Sequence, residues 1–170
     1  MNVNYHNSFV AEIRGHIQHY NPKRYWKLRN FCTSSGGGKL KKILQYIALL
    51  YIKRCDAKNN ASLGTDLGRG ATFGSIPTFP HGIYGIIISP DAVIGKNCRI
   101  YHQVTIGNDD RDKLNVPTIG DNVNIYPGAK ILGKIKIGNN VRIGANAVVT
   151  RDVPDGAFVL APQPEIKIKE

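Results

Sequence analysis

The chain has 170 residues, of which 42% are hydrophobic, and this size and composition suit one globular domain with a short appendage. Its formal net charge is +11, but the first 60 residues carry eleven Lys and Arg residues against two acids, Glu12 and Asp56. The rest of the chain is nearly neutral. No recognition motif accompanies the basic residues, which argues against nucleic-acid binding.

The cysteines and the apolar stretches limit the cellular setting. Cys32, Cys55 and Cys98 are odd in number and have no metal-like spacing, so neither a disulfide scaffold nor a zinc site is expected. Residues 1–10 have no apolar core of signal-peptide length. The longest apolar stretch, residues 43–52, is about half as long as a membrane-spanning helix. We therefore expect a cytoplasmic protein that is soluble or attached to a membrane surface.

Two helices are predicted in the basic N-terminal arm, residues 1–60. The weaker helix covers residues 9–20 and ends at Asn21-Pro22, and the stronger covers residues 39–58, between three glycines and Asn59-Asn60. The middle of the stronger helix is apolar on nearly all sides, so it should be buried against another surface. It could pack on the end of the main domain or on another subunit, or it could contact a membrane surface through its Lys, Arg and aliphatic side chains.

Aliphatic residues recur every six positions through most of the remaining chain. They are Ile88, Ile94, Ile100, Ile106, Ile119, Ile125, Ile131, Ile137, Ile143 and Val149. A period of six fits neither the 3.6-residue period of a helix nor the alternation of an ordinary strand. With Gly and Asn between the apolar residues, it predicts short strands joined by turns that tolerate left-handed backbone, wound into a prism with the aliphatic residues inside.

Three six-residue repeats make one coil of eighteen residues, so equivalent residues should stack from coil to coil. Ile119 should lie over Ile137, and Ile125 over Ile143. A β-sandwich with accidental spacing is the alternative, and ten aliphatic positions in register argue against it. The one long step, from Ile106 to Ile119, contains the polar residues 108–115, which are predicted to form a loop at a coil corner.

The repeat region resembles a known family. Five segments closely resemble the C-terminal half of serine acetyltransferases and of related acetyltransferases of bacterial polysaccharide biosynthesis: residues 85–95, 104–107, 117–120, 127–133 and 143–154. The resemblance implies a mainly β protein, with a left-handed parallel β-helix in residues 61–160. A short α-helical N-terminal region, residues 1–60, would precede it, and a tail, residues 161–170, would follow. The resemblance also implies a homotrimer with active sites between subunits, and acetyl-CoA as the acetyl donor.

Some positions depart from the family pattern. His81 takes the place of the family's general base, although Pro80 precedes it where the family has Asp. Val116 aligns with a second family histidine on the extended loop, and Asn60 aligns with an upstream acid. These changes affect groups that recognise the acceptor or orient the base. The predicted acceptor is therefore a sugar hydroxyl or serine, with a preference for the sugar.

Acetyl transfer from a thioester to an alcohol needs a base, donors for the oxyanion and a slot for the cofactor. The repeat region has two histidines, of which His81 is predicted to be the general base. His102, near a coil corner, is interpreted as a surface or interface residue, an acceptor-binding residue or the base itself. Direct attack by the acceptor is expected, because no nucleophile with a paired base is apparent. Two histidines without metal-like spacing also argue against a metal site.

The resemblance further implies which residues contact the cofactor. Small residues at coil corners would let the pantetheine arm lie against backbone amides, and two arginines would face the phosphates. The predicted cofactor-binding residues are Gly107, Asn108, Tyr126, Pro127, Arg142, Gly144, Ala145 and Arg151. The two glycines could equally be required by turns.

The leading functional prediction is an acetyl-CoA-dependent O-acetyltransferase. A true serine O-acetyltransferase of cysteine biosynthesis is the enzymatic alternative. A trimeric β-helix that serves as a scaffold without catalysis is the alternative from another class.

Overall fold

The computed structural model describes residues 19–168 together with Ile13 and Ile17. These residues contain helices α1 (Pro22–Thr33) and α2 (Lys39–Lys58), followed by fifteen short strands. The helix predicted over residues 9–20 lies largely outside the described residues. Of the described helices, none is long and apolar enough to cross a membrane.

The strands form three parallel sheets and one small antiparallel pair. Sheet 1 contains β1 (Ser62–Leu63), β5 (Ile87–Ile88), β8 (Thr105–Gly107), β11 (Lys130–Leu132) and β14 (Val148–Val149). Sheet 2 contains β7 (Arg99–Ile100), β10 (Asn124–Ile125), β13 (Arg142–Ile143) and β15 (Phe158–Val159). Sheet 3 contains β4 (Thr72–Phe73), β6 (Val93–Ile94), β9 (Thr118–Ile119) and β12 (Lys136–Ile137). The antiparallel pair is β2 (Thr65–Asp66) with β3 (Arg69–Gly70).

The three parallel sheets are the walls of a left-handed β-helix of about four turns. From β5 onwards the chain passes repeatedly from sheet 1 to sheet 3 and then to sheet 2. The predicted stacking is confirmed, because Ile119 pairs with Ile137 and Ile125 pairs with Ile143. The second residue of most strands is buried, whereas the first is half-buried or exposed, and burying each aliphatic side chain is worth about 1.5–3 kcal/mol.

Asparagines build the corner between sheets 3 and 2. Asn97, Asn122 and Asn140 have φ values of 55°, 58° and 58°, in the left-handed region that Asn tolerates better than most residues. The Nδ2 atom of Asn97 donates to Oδ1 of Asn122, and Nδ2 of Asn122 donates to Oδ1 of Asn140, both over 3.3 Å. The Asn residues of the repeat therefore form a hydrogen-bonded ladder along this corner.

Helix α1 was not predicted, and it begins at Asn21-Pro22, where the preceding helix was predicted to end. Oδ1 of Asn21 accepts a hydrogen bond from the backbone N–H of Arg24 over 3.0 Å, and Pro22 occupies the first turn. Proline suits this position because the first-turn N–H groups have no partner within the helix.

Helix α2 has the predicted bounds and packs by one face on α1 and on the first strands of the β-helix. Its buried residues include polar groups, among them Gln45 and Asp56. The Tyr25 hydroxyl donates to Oδ1 of Asp56 over 2.7 Å, and burial raises the pKa of Asp56 to about 6. Helices α1 and α2 together form a helical hairpin. The buried Arg29 donates to the carbonyls of Ala71 and Gly64, which joins this hairpin to the β-helix.

Candidate active site

His81 lies in the segment that joins β4 to β5, in the first and least regular coil. Thr78 of this segment pairs with Arg99 of β7, so it adds an outer position to sheet 2. His81 follows Thr78 by three residues, as His102 follows Arg99 by three. The two histidines therefore occupy equivalent positions in successive coils, at the corner between sheets 2 and 1.

The two imidazoles are in direct contact. Their Nδ1 atoms lie 2.8 Å apart, and their ring centroids lie 4.9 Å apart. A hydrogen bond between two ring nitrogens requires one ring to donate an N–H and the other to accept with a lone pair. His81 is exposed and His102 is half-buried, so the more accessible ring is held by the less accessible one.

Close packing between the two coils fixes this contact. The N–H of Gln103 donates to the carbonyl of Tyr84 over 3.0 Å. Gly85 has a φ of 67°, and a Cβ there would approach the Gln103 side chain to 3.1 Å. A larger residue at position 85 would be strained by the positive φ and would crowd Gln103 next to the histidines.

Aromatic side chains extend the site along the same corner and towards the hairpin. Tyr101 meets the His81 ring edge to face at a centroid distance of 5.4 Å, and it stacks on Tyr126 at 5.3 Å. On the other side, Trp26 of α1 stacks on Phe79, two residues before His81, and contacts Phe73 edge to face. Helix α1 thus supports the segment that carries His81.

Four of the predicted cofactor-binding residues continue the column of the histidines. Because Ile100, Ile125 and Ile143 pair in register, Tyr126 and Gly144 are the coil equivalents of Tyr101. By the same register, Pro127 and Ala145 are the equivalents of His102. All four lie at the corner between sheets 2 and 1.

The other predicted cofactor-binding residues lie elsewhere. Gly107 ends strand β8 of sheet 1, and Asn108 and Arg151 follow strands of that sheet, so all three lie at its opposite edge, at the corner with sheet 3. Arg142 lies on the outer face of sheet 2, between its partners Asn124 and Phe158 on the neighbouring strands. A single ligand could contact both edges of sheet 1 only by crossing its outer face or by lying between two subunits.

The two glycines that the sequence left ambiguous differ in their surroundings. A Cβ on Gly144 would lie 2.8 Å from the Val159 carbonyl oxygen, so the pairing of β13 with β15 requires glycine there. A Cβ on Gly107 would meet nothing closer than 3.8 Å. The structure therefore explains Gly144 by packing, whereas Gly107 leaves open surface over its backbone.

The residues that replace family groups are also located. Val116 is half-buried at the end of the loop over residues 108–117, and Asn60 follows α2 with a φ of 48°. Within the part of the chain that the structure describes, no three His, Cys, Asp or Glu residues are grouped so as to hold a metal ion.

Sequence reasoning did not identify Tyr101, Phe79 or Trp26 as parts of this site. Tyr101 could have been found, since it and Tyr126 each follow a repeat isoleucine, Ile100 and Ile125. The contact of Trp26 with Phe79 joins residues far apart in sequence, and no local pattern predicts it.

Comparisons with known proteins agree with this architecture. Residues 117–151 match the family described as bacterial transferase hexapeptide (six repeats). A serine acetyltransferase from Synechococcus elongatus is 42% identical over 98 residues, which are 57% of this chain and 40% of that protein. A serine acetyltransferase from Staphylococcus epidermidis is 41% identical over 123 residues, 72% of this chain and 56% of that protein.

A solved structure has the same fold. Serine acetyltransferase isoform 3 of Entamoeba histolytica, in complex with cysteine, superposes with a TM-score of 0.60 at 32% identity. The superposition covers 77% of this chain and 48% of that protein. The chain thus spans about half the length of the relatives it matches, and its hexapeptide-repeat β-helix is similar to theirs.

Proposed function

We propose that this chain, whose β-helix carries the hexapeptide repeats of bacterial transferases, is an O-acetyltransferase that moves an acetyl group from acetyl-CoA to the hydroxyl of serine. The contact between His81 and His102 carries the proposal, because it prepares one imidazole to act as a base. The similarity to serine acetyltransferases supports the same reaction class.

The hydrogen bond between the two Nδ1 atoms assigns different roles to the two rings. If His81 donates its Nδ1–H, its Nε2 carries the lone pair that can take a proton from a hydroxyl. His102 then accepts at Nδ1 and carries its own proton on Nε2, where it can donate but cannot act as a base. When His81 becomes protonated, its Nδ1–H bond to His102 becomes charge-assisted and stronger. His102 would thus take the role of the orienting carboxylate that Pro80 does not provide.

The reaction then needs no acyl-enzyme. His81 accepts the hydroxyl proton while the hydroxyl oxygen attacks the thioester carbonyl carbon. The tetrahedral intermediate collapses, its C–S bond breaks, and protonated His81 returns the proton to the leaving thiolate. Coenzyme A and the acetyl ester are the products, and the histidine is regenerated.

Serine is favoured over a sugar as the acceptor, which reverses the preference taken from the sequence. The departures at Val116 and Asn60 suggested a sugar, but the matched relatives are serine acetyltransferases, and one related structure holds cysteine, a close analogue of serine. A loop at residues 108–117 is also present, and it contains the exposed cations Arg111 and Lys113. These could face a substrate carboxylate in place of the histidine that Val116 replaces.

A homotrimer would complete the site. The predicted cofactor-binding residues lie at both edges of sheet 1, so two neighbouring subunits could supply one edge each to a groove for acetyl-CoA. Apolar side chains on the outer faces of the sheets also favour subunit packing, since Ile87, Val148 and Phe158 expose 42%, 64% and 60% of their surface. In such a groove, the open backbone at Gly107 and the exposed Arg142 and Arg151 suit the pantetheine arm and the phosphates.

The test is the rate of thiol release from acetyl-CoA with serine and with a panel of sugars. We expect serine to stimulate release, and His81→Ala to lower kcat by roughly 10²–10⁴-fold. His102→Ala should lower kcat less, and His102→Asn should recover part of that loss because its Oδ1 can accept the Nδ1–H bond. The control is Lys96→Ala, at the corner between sheets 3 and 2, which should leave the rate unchanged.

Two results would contradict the proposal. Equal, slow release by the wild type and His81→Ala would favour the non-catalytic scaffold. Turnover with a sugar and none with serine would keep the acetyltransferase but replace its acceptor.

A further inference from the structure

One face of α2 is apolar but exposed to solvent. Its large side chains expose between 49% and 70% of their surface, and they are Leu40, Ile43, Leu44, Tyr46, Ile47 and Leu50. Ile43, Tyr46, Ile47 and Leu50 follow the helical spacing that places residues on one side. This exposed stripe is opposite the face that buries Ala48 and Ile52 against α1 and the β-helix.

The stripe leads into a basic cavity at the C-terminal end of α2. Ile47, Tyr51, Arg54 and Lys58 follow one another at spacings of four, three and four residues, so they lie along one side of the helix. Tyr51, Arg54 and Lys58 line a cavity of about 350 Å³ together with His19 and Arg24. None of the described residues that line it is acidic. Apolar side chains and a cationic cavity thus share one continuous face.

The charges around this face are almost all positive. Residues 22–58 contain ten Lys and Arg residues and a single acid, Asp56, which is buried against Tyr25. Among the cations beside the stripe, Lys39 and Lys42 lie near its N-terminal end and Lys53 near its C-terminal end. Lys53 is 3.8 Å from Asp66, an ion pair that leaves most of the positive charge uncompensated.

These features favour an anionic lipid surface over a second copy of the chain. Packing stripe against stripe would bring the lysines and arginines of both copies together, and like charges destabilise such a contact. A lipid surface that carries phosphates would instead take the aliphatic side chains into its acyl boundary and place its headgroups beside the cations. The cavity would receive a phosphate headgroup, with Arg24 held over the Tyr51 ring at 4.4 Å.

We infer that α2 docks this protein on anionic phospholipid membranes, with the exposed stripe in the interface and the cavity on a lipid phosphate. The attachment is peripheral and does not depend on the acetyl transfer proposed above.

The experiment is flotation of the whole chain with two kinds of vesicle, phosphatidylcholine alone and phosphatidylcholine mixed with phosphatidylglycerol. The wild type should float with the mixed vesicles only, and less at high salt. Ile47→Glu with Leu50→Glu should weaken binding at least about tenfold, and Arg54→Glu with Lys58→Glu should do the same. The matched control is Leu114→Glu, an equally exposed aliphatic residue on the loop, which should bind like the wild type.

Circular dichroism shows that each variant is folded, as expected because every substituted residue is exposed to solvent. Failure of the wild type to float, or equal floating of the stripe variant and the wild type, would overturn the proposal. A wild type that binds glycerol phosphate in solution but not vesicles would show an anion site without membrane docking. A stripe variant whose oligomeric state changes while vesicle binding does not would show that a second copy covers the stripe.

Discussion

The β-helix and the helical hairpin achieve stability in different ways. In the β-helix one inward position of most strands is buried and nearly always aliphatic, so a single pattern repeated in register builds the core. The hairpin instead buries Arg29, Gln45 and Asp56, each with specific hydrogen bonds, and leaves a large apolar face exposed. A repeat therefore makes a rigid support from local rules, whereas the hairpin depends on individual contacts and keeps a surface available for binding.

A substitution at the junction between the β-helix and the helical hairpin should have the largest effect on stability. Trp26→Ala removes the aromatic contacts with Phe73 and Phe79, and we expect a loss of about 3–5 kcal/mol in the free energy of unfolding. It should also lower the rate of thiol release below that of the wild type under conditions where the variant is still folded, because Phe79 supports the segment of His81. Tyr46→Ala, an exposed aromatic on α2, is the control for urea unfolding and for activity. Unchanged activity in folded Trp26→Ala would mean that the hairpin does not position His81.

Replacing one isoleucine with alanine in the β-helix and another in the hairpin tests the difference in how the two regions are stabilised. Ile125→Ala opens a cavity in the middle of the prism and should cost about 2–5 kcal/mol in the free energy of unfolding. Ile43 lies in the exposed stripe, so Ile43→Ala should change the free energy of unfolding by less than about 0.5 kcal/mol. Urea unfolding of both variants measures the difference. A large loss for Ile43→Ala in the isolated protein would show that something covers the stripe in solution.

Asp56 gives the hairpin a pH dependence. Burial raises its pKa from 3.8 to about 6 in the folded chain, so the folded state binds a proton more tightly than the unfolded state. Its contribution to stability is therefore complete below pH 4 and is lost as the pH rises through 6, a change of about 2–3 kcal/mol. Asp56→Asn should remove this part of the dependence, because its side chain does not titrate.

The measurement is the free energy of unfolding between pH 4 and pH 7. Asp110→Asn, on the exposed loop, is the control and should leave the profile unchanged. A profile that Asp56→Asn does not flatten would show that Asp56 is already ionised in the folded chain at low pH.

Much of the β-helix could be predicted from the sequence, because the interactions that determine it are local and repeated. The register of Ile119 with Ile137 and the position of the loop after β8 both follow from the six-residue period. Helix α1 was missed because Asn21-Pro22 was interpreted only as the end of a helix, although Asn21 also caps a helix that begins at Pro22.

The candidate site was predictable in its residues but not in its geometry. His81 and His102 were both identified as candidates, yet their contact depends on the register of the first coil, which includes the antiparallel pair of β2 with β3 and which the period does not describe. The pairing of Thr78 with Arg99 establishes that register, and it brings the two Nδ1 atoms within 2.8 Å.

The amino-acid sequence by itself thus determined the prism, its corners and the residue types available at each corner, because a short period leaves little choice of fold. The tertiary structure alone decided that the two histidines form a pair, that Trp26 supports their segment, and that one side of α2 remains exposed. These features join residues separated by an irregular coil or by the whole hairpin, and contacts between distant residues leave no period in the sequence.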